Sequence, residues 1–283
     1  MKFGVSSYVW VSPFSNDNAR EQLKLAKEIG FDIYEIGVED PDSFDPYYVK
    51  HEADNIGIQV HICGAFGTER DISSDNEEYR KTGLSYVKRL IDMAAIVGSP
   101  YVAGPMYAAT GKARLAPEDE KKRQWDYAVA NLKELCRYAQ EKGVKLAIEP
   151  LNRFETDFIN TVEEGLELIQ AVEEDNLGFL LDTFHMNIEE KNLGEAIRKA
   201  GSRIYDFHAC SNDRGTPGKD HLDWDEIRSG LREAGYDGSV VIESFTTDIK
   251  EIAKAVSMWR KLESSQDTLA IEGLQFLKNC FSL

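Results

Sequence analysis

Four apolar runs in the second half of the chain each end beside a side chain that can hold a metal ion or carry a proton. KLAIEP ends at Glu149, GFLLDTFH at Asp182 with His185 three residues on, RIYDFHA at His208 and VVIES at Glu243. Three carboxylates and one imidazole make an oxygen-rich set, which suits Mn²⁺, Mg²⁺ or Co²⁺ better than a structural zinc. Gathering three carboxylates in one buried place is costly unless a cation or protons compensate them. Any one of these residues could simply cap the helix that follows; four at successive strand ends favour a shared site. The remaining histidines read differently. His51 lies in a helical stretch, His61 sits inside an apolar run as a satisfied core residue, and His221 follows a Gly/Pro loop at the surface. Cys210, two residues past His208, could face the site, but a thiolate suits a hard-ligand set poorly.

The elements that must position these groups are legible as an alternation. Strand-like runs fall at Phe3–Ser6, Ile33–Ile36, Gln59–Cys63, Tyr101–Ala103, Lys145–Ile148, Gly178–Leu181, Ile204–Phe207 and Val240–Ile242. Between them lie amphipathic helical stretches such as NAREQLKLAKEIG, where Leu23, Ala26 and Ile29 share a face. Several close on a glycine, namely Gly30, Gly98, Gly143 and Gly235. Eight strand–helix units predict a (β/α)₈ TIM barrel, in which active sites gather at the C-terminal ends of the strands. A doubly wound open sheet would carry a Gly-rich phosphate loop after its first strand, and here that strand runs into SYVWVSPF. No Pro-, Gly- or Ser-rich linker divides the chain, so residues 1–283 are expected to form a single domain. A further amphipathic helix is expected at about 268–281, packed on the outside or at an oligomer contact.

Composition narrows the function. With 33 Lys+Arg against 50 Asp+Glu the net charge is −17, which disfavours a nucleic-acid partner. A phosphodiesterase acting at abasic DNA would also need a histidine-rich zinc site and a basic groove, and this chain has 5 histidines. No run approaches the roughly 18–20 apolar residues of a membrane span, and the N-terminus lacks a signal-peptide core. The four cysteines, Cys63, Cys136, Cys210 and Cys280, form no CxxC pair and read as reduced thiols of a cytoplasmic protein.

Whole motifs then join the rim residues. IEPLNRFET (148–156), LDTFHMNIEE (181–190), NDRGTPGKDHLDW (212–224) and VVIESFT (240–246) resemble the ketose 3-epimerases, which act on D-tagatose, D-psicose (allulose) or L-ribulose within the xylose-isomerase-like barrels. The resemblance is strong over 145–246 and weaker over the first half. It implies that Glu149, Asp182, His208 and Glu243 bind one divalent metal per subunit, Mn²⁺ foremost, with Co²⁺ or Mg²⁺ as alternatives. It further implies that Glu155, His185 and Arg214 hold the O1–O3 region of the sugar and that Phe245 forms an apolar wall. A homodimer or homotetramer is expected. Ser6 and Ser7 stand where relatives often carry an aromatic, and Gly104-Pro105-Met106 also departs from common variants, so the ketose preferred is left open among fructose/psicose, tagatose/sorbose and ribulose/xylulose types.

The chemistry fits these residue types. A metal gripping the C2 and C3 oxygens acidifies the C3 proton; a carboxylate removes it to give a cis-enediolate, and inversion needs a second acid on the opposite face. Glu149 and Glu243 are the candidate pair, with donors from His185 and Arg214. No Gly-rich phosphate loop follows the seventh or eighth strand, so a free ketose is expected. The competing readings are another sugar isomerase, a metal-dependent lyase or dehydratase acting on a keto-sugar or keto-cyclitol, and a non-catalytic sugar-binding barrel.

Overall fold

The computed structural model describes residues 1–281. Eight parallel strands close on themselves: β1 (Lys2–Ser6), β2 (Ile33–Val38), β3 (Gln59–Gly64), β4 (Tyr101–Gly104), β5 (Lys145–Ile148), β6 (Leu177–Asp182), β7 (Ile204–His208) and β8 (Ser239–Ile242). Each strand pairs with the next, and β8 returns to β1 with Lys2 opposite Ser239 and Val5 opposite Ile242. The fold is the expected TIM barrel, and the eight runs read from the sequence fall on its eight strands.

The helices surround the barrel: α1 (Asn16–Ile29), α2 (Pro46–Ile56), α3 (Glu77–Val97), α4 (Glu118–Glu141), α5 (Val162–Val172), α6 (Thr183–Glu189), α7 (Leu193–Ala200), α8 (Trp224–Glu233), α9 (Lys250–Ala255) and α10 (Gln266–Phe281). Their ends follow local chemistry. Thr161 and Glu164 form a capping box at the start of α5, Asn76 caps α3, and Asp223 caps α8. The four glycines expected to end helices all adopt left-handed backbone, as at Gly30 with φ 109°.

Two cores result. The larger lies between strands and helices and contains Leu23, Leu90, Leu132, Ile148, Leu168 and Ile227. A smaller one, with Cys63, Tyr101, Ala103, Ala147 and Leu180, fills part of the barrel interior. Because strand side chains alternate, residues two apart share a face. The inward face thus runs from Ala147 to Glu149, Leu180 to Asp182, Asp206 to His208 and Val241 to Glu243. The C-terminal helix α10 lies over the closing pair of strands, burying Leu269, Ala270, Leu274 and Leu277. Gly273 permits that approach, since a Cβ there would come within 2.7 Å of Ile242 Cδ1. No described helix is long and apolar enough to cross a membrane.

Candidate active site

Asp182 and His208 are the last residues of β6 and β7, while Glu149 and Glu243 stand one residue beyond β5 and β8. All four are buried. Each offers one ligand atom, and these atoms lie within 4.8 Å of one another. Nδ1 of His208 is 3.6 Å from Glu243 Oε2 and 4.0 Å from Asp182 Oδ2. Capping and site formation are not exclusive: Asp182 Oδ1 accepts from the Phe184 N–H at 2.7 Å at the start of α6, which leaves Oδ2 facing the cluster.

Arg214 supplies the positive charge among these groups. Its Nη1 donates to Asp182 Oδ2 and, at 2.7 Å, to Glu243 Oε2, while its guanidinium lies over the rings of Phe184 and Phe245. The backbone that delivers it is unusual, because Arg214 has φ 68°, a left-handed conformation that costs a non-glycine residue about 1 kcal/mol or more. Its carbonyl accepts from Ser244 Oγ at 2.6 Å, which ties the loop to the end of β8.

The electrostatics divide the two glutamates. Burial pushes the Glu149 carboxyl well above its ordinary range, and the Glu243 charge adds to the effect. Burial also raises Glu243, but the Arg214 and His208 charges outweigh it and hold that carboxyl low. His208 loses by burial and gains more from the Glu35 and Glu243 charges, so its pKa is raised. The cluster therefore holds more buried carboxyl groups than Arg214 and a protonated His208 together neutralise, and Glu149 is the one driven toward keeping its proton. Both ring nitrogens of His208 are buried without a hydrogen-bond partner. Such a set fits a divalent cation bound by Glu149, Asp182, His208 and Glu243.

His185, on α6, is held beside the cluster. Its Nδ1 accepts from the backbone N–H of Asn152 at 3.1 Å. Its Nε2 lies 3.5 Å from Glu149 Oε1, with Arg214 Nη2 at 3.0 Å. Burial and the Arg214 charge lower its pKa to about 3, which keeps the imidazole neutral. Glu155 joins through the same asparagine, its Oε1 accepting from Asn152 Nδ2 at 2.8 Å. Phe245 packs against Tyr8, with ring centroids 5.4 Å apart.

The structure thus gathers all eight sequence-derived candidates at one end of the barrel. Three neighbours were not anticipated. Asn152 lies inside the quoted IEPLNRFET motif, but its role depends on how that loop folds. Tyr8 follows the serines that stand in place of an aromatic and provides a ring there. Glu35 lies within an unbroken buried run. His61 is the expected core residue, buried with Nδ1 2.7 Å from the Tyr101 hydroxyl, and His51 and His221 are near the surface on Asn55 and Asn187. The Cys210 thiol points at the Glu243 carbonyl, 3.1 Å away, and stands outside the ligand set.

Comparison with known proteins agrees with this geometry. Residues 23–280 match the family model described as xylose isomerase-like TIM barrel. The chain is 34% identical to the probable ketose 3-epimerase of Synechocystis sp. over 281 residues, covering 99% of this chain and 97% of that one. It is 33% identical to the D-psicose 3-epimerase of Ruminiclostridium cellulolyticum, covering 94% and 92%. A crystal structure of D-allulose 3-epimerase from Methylomonas sp. in complex with D-allulose superposes with a TM-score of 0.92 at 28% identity, covering 99% and 96%.

Proposed function

The chain belongs to the ketose 3-epimerases of the xylose isomerase-like TIM barrels, isomerases that act on carbohydrates, and from that premise we propose that it inverts C3 of a free ketose through an enediolate. The observation that carries the reading is geometric: two rim carboxylates, Glu149 beyond β5 and Glu243 beyond β8, meet with Asp182 and His208 in one buried cluster. Two carboxyl groups on different strands of one site can serve as a base and an acid toward a carbon held between them. In the proposal Glu243 takes the C3 proton in one direction and Glu149 returns one on the other face; the reverse reaction exchanges their roles. A divalent cation held by Glu149, Asp182, His208 and Glu243, Mn²⁺ foremost and Co²⁺ or Mg²⁺ otherwise, would acidify the C3 proton and offset the charge of the enediolate.

The other residues bind and orient. His185 is held neutral and so faces a sugar oxygen without adding charge, and Arg214 supplies a donor beside it. Glu155 accepts from a hydroxyl of the O1–O3 region, and Phe245 with Tyr8 offers an apolar surface to the carbon skeleton. A free sugar is favoured over a sugar phosphate, because Arg214 already faces Asp182 and Glu243 and the protein is strongly acidic. The reading takes the enzyme as cytoplasmic and as a homodimer or homotetramer, which light scattering on the purified protein decides.

The test is a panel of free ketoses and their phosphates incubated with metal-loaded enzyme and resolved by chromatography. A C3-epimeric ketose should form, activity should vanish after exhaustive chelation, and Mn²⁺ or Co²⁺ should restore it. An aldose or a dehydrated keto-sugar as main product would overturn the assignment.

A further inference from the structure

Below the rim the barrel interior holds two more carboxylates. Glu35 points in from β2 and Asp206 from β7, on the same face as His208, and both are fully buried. Glu35 Oε1 is 3.0 Å from His208 Nε2, and Asp206 Oδ2 is 3.6 Å from the same nitrogen. Among the described residues neither Glu35 oxygen, nor Asp206 Oδ2, nor either ring nitrogen of His208 has a hydrogen-bond partner, so these unpartnered polar atoms face one another at close range without the angles of a hydrogen bond. Asp206 is anchored from the barrel floor: its Oδ1 accepts from Ser239 Oγ at 2.7 Å, and that hydroxyl lies 2.7 Å from the Tyr101 hydroxyl. The two edges of the imidazole therefore face different company. Nε2 faces two carboxylates that the rim does not use, and Nδ1 faces Asp182 and Glu243.

A neutral imidazole has one N–H and one lone pair, so whichever nitrogen keeps the proton decides which can bind a cation. We propose that Glu35, backed by Asp206, is a positioning residue: it holds the proton of His208 on Nε2 and thereby turns the Nδ1 lone pair toward the metal. Carboxylates behind metal-bound histidines fix ring orientation in this way, and removing one typically weakens metal binding 10–100-fold. The proposal rests on the metal-binding reading above. A cation held by Glu35, Asp206 and His208 themselves is the competing use of the same three groups.

Calorimetric titration with Mn²⁺ and NMR of ¹⁵N-histidine-labelled, Mg²⁺-loaded protein test it together. Wild type should bind one equivalent, and E35Q, which conserves volume, should bind one equivalent 10–100-fold more weakly while its circular dichroism in EDTA stays that of the folded barrel. The wild-type spectrum should show His208 protonated at Nε2 and metal-shifted at Nδ1, a readout that needs no variant to fold. Protonation at Nδ1, or an E35Q affinity equal to wild type, overturns the positioning role alone. Two equivalents in wild type, one of them lost in E35Q, overturn it in favour of a second cation site. No Mn²⁺ binding by wild type overturns both this inference and the metal reading beneath it.

Discussion

Replacing Arg214 with methionine separates the cation-starved character of the rim from its catalytic role. The arginine side chain is only 7% exposed and its Nη1 serves both Asp182 and Glu243, which are themselves buried. Methionine keeps the apolar stem and removes the charge. In metal-free buffer two buried carboxylates then lose their common partner, and breaking a buried pair from one side costs about 3–5 kcal/mol. At this chain length that corresponds to a melting temperature lower by roughly 6–10 °C. In the proposed reading a metal would act on the same carboxylates. Free Mn²⁺ at about 1,000 times its dissociation constant stabilises the folded state by about 4 kcal/mol, comparable to the charge removed. The gain should be larger in R214M than in wild type, because no guanidinium competes for Asp182 and Glu243. Calorimetric melts of both proteins in EDTA and in saturating Mn²⁺ give the four values required. The gap between the proteins should be wide in EDTA and narrow with metal. An equal gap in both buffers would refute the reasoning, since the rim would then not be short of positive charge.

E149Q and E243Q should each lower kcat by about 10²–10⁴-fold with metal occupancy measured on both, and in D₂O the product should carry deuterium at C3 and none at C1; label at C1 would mean C1–C2 transfer. At Gly37 an added Cβ would sit 2.2 Å from the Tyr8 ring, so G37A should displace Tyr8 from Phe245 and raise KM more than it lowers kcat; unchanged steady-state constants would show that this wall does not meet substrate. Burial lowers the His61 pKa from 6.5 to about 4, so the native state binds fewer protons than the unfolded chain between those values and stability falls as pH drops through that window. Between pH 7 and pH 5 this amounts to about 2 kcal/mol, and urea unfolding should show wild type losing that much more than H61Q; equal losses would sink the assignment.

The barrel was legible because its signals are local. Each strand is a short run of β-branched and apolar residues, each helix repeats its apolar positions every three or four residues, and Gly30, Gly98, Gly143 and Gly235 punctuate them. The rim was legible for a related reason: a polar residue at the end of a buried strand has few structural uses, and four such ends coincide. What escaped depends on backbone paths between elements. Arg214 was expected to reach the sugar, yet that it bridges Asp182 and Glu243 follows from a left-handed residue no spacing rule marks. Asn152 needed the fold of its loop. Glu35 sits in IYEIGV, every residue of which is buried, so nothing in the run says which face it uses. Asp206 carried a usable signal, since its position two before His208 puts both on one face.

The closure of β8 onto β1, under α10, gives one donor of the site a second dependence. Glu149, Asp182 and His208 stand at the ends of β5, β6 and β7, each strand held on both sides by its neighbours in chain order. Glu243 follows β8, which pairs with β7 on one side and with the first strand on the other, with α10 laid across the seam. The placement of that carboxylate is thus tied to residues from both ends of the sequence, Lys2–Val5 and the buried face of α10. A fault at the seam, far from the site in sequence, would shift Glu243 against three donors whose own strands are untouched.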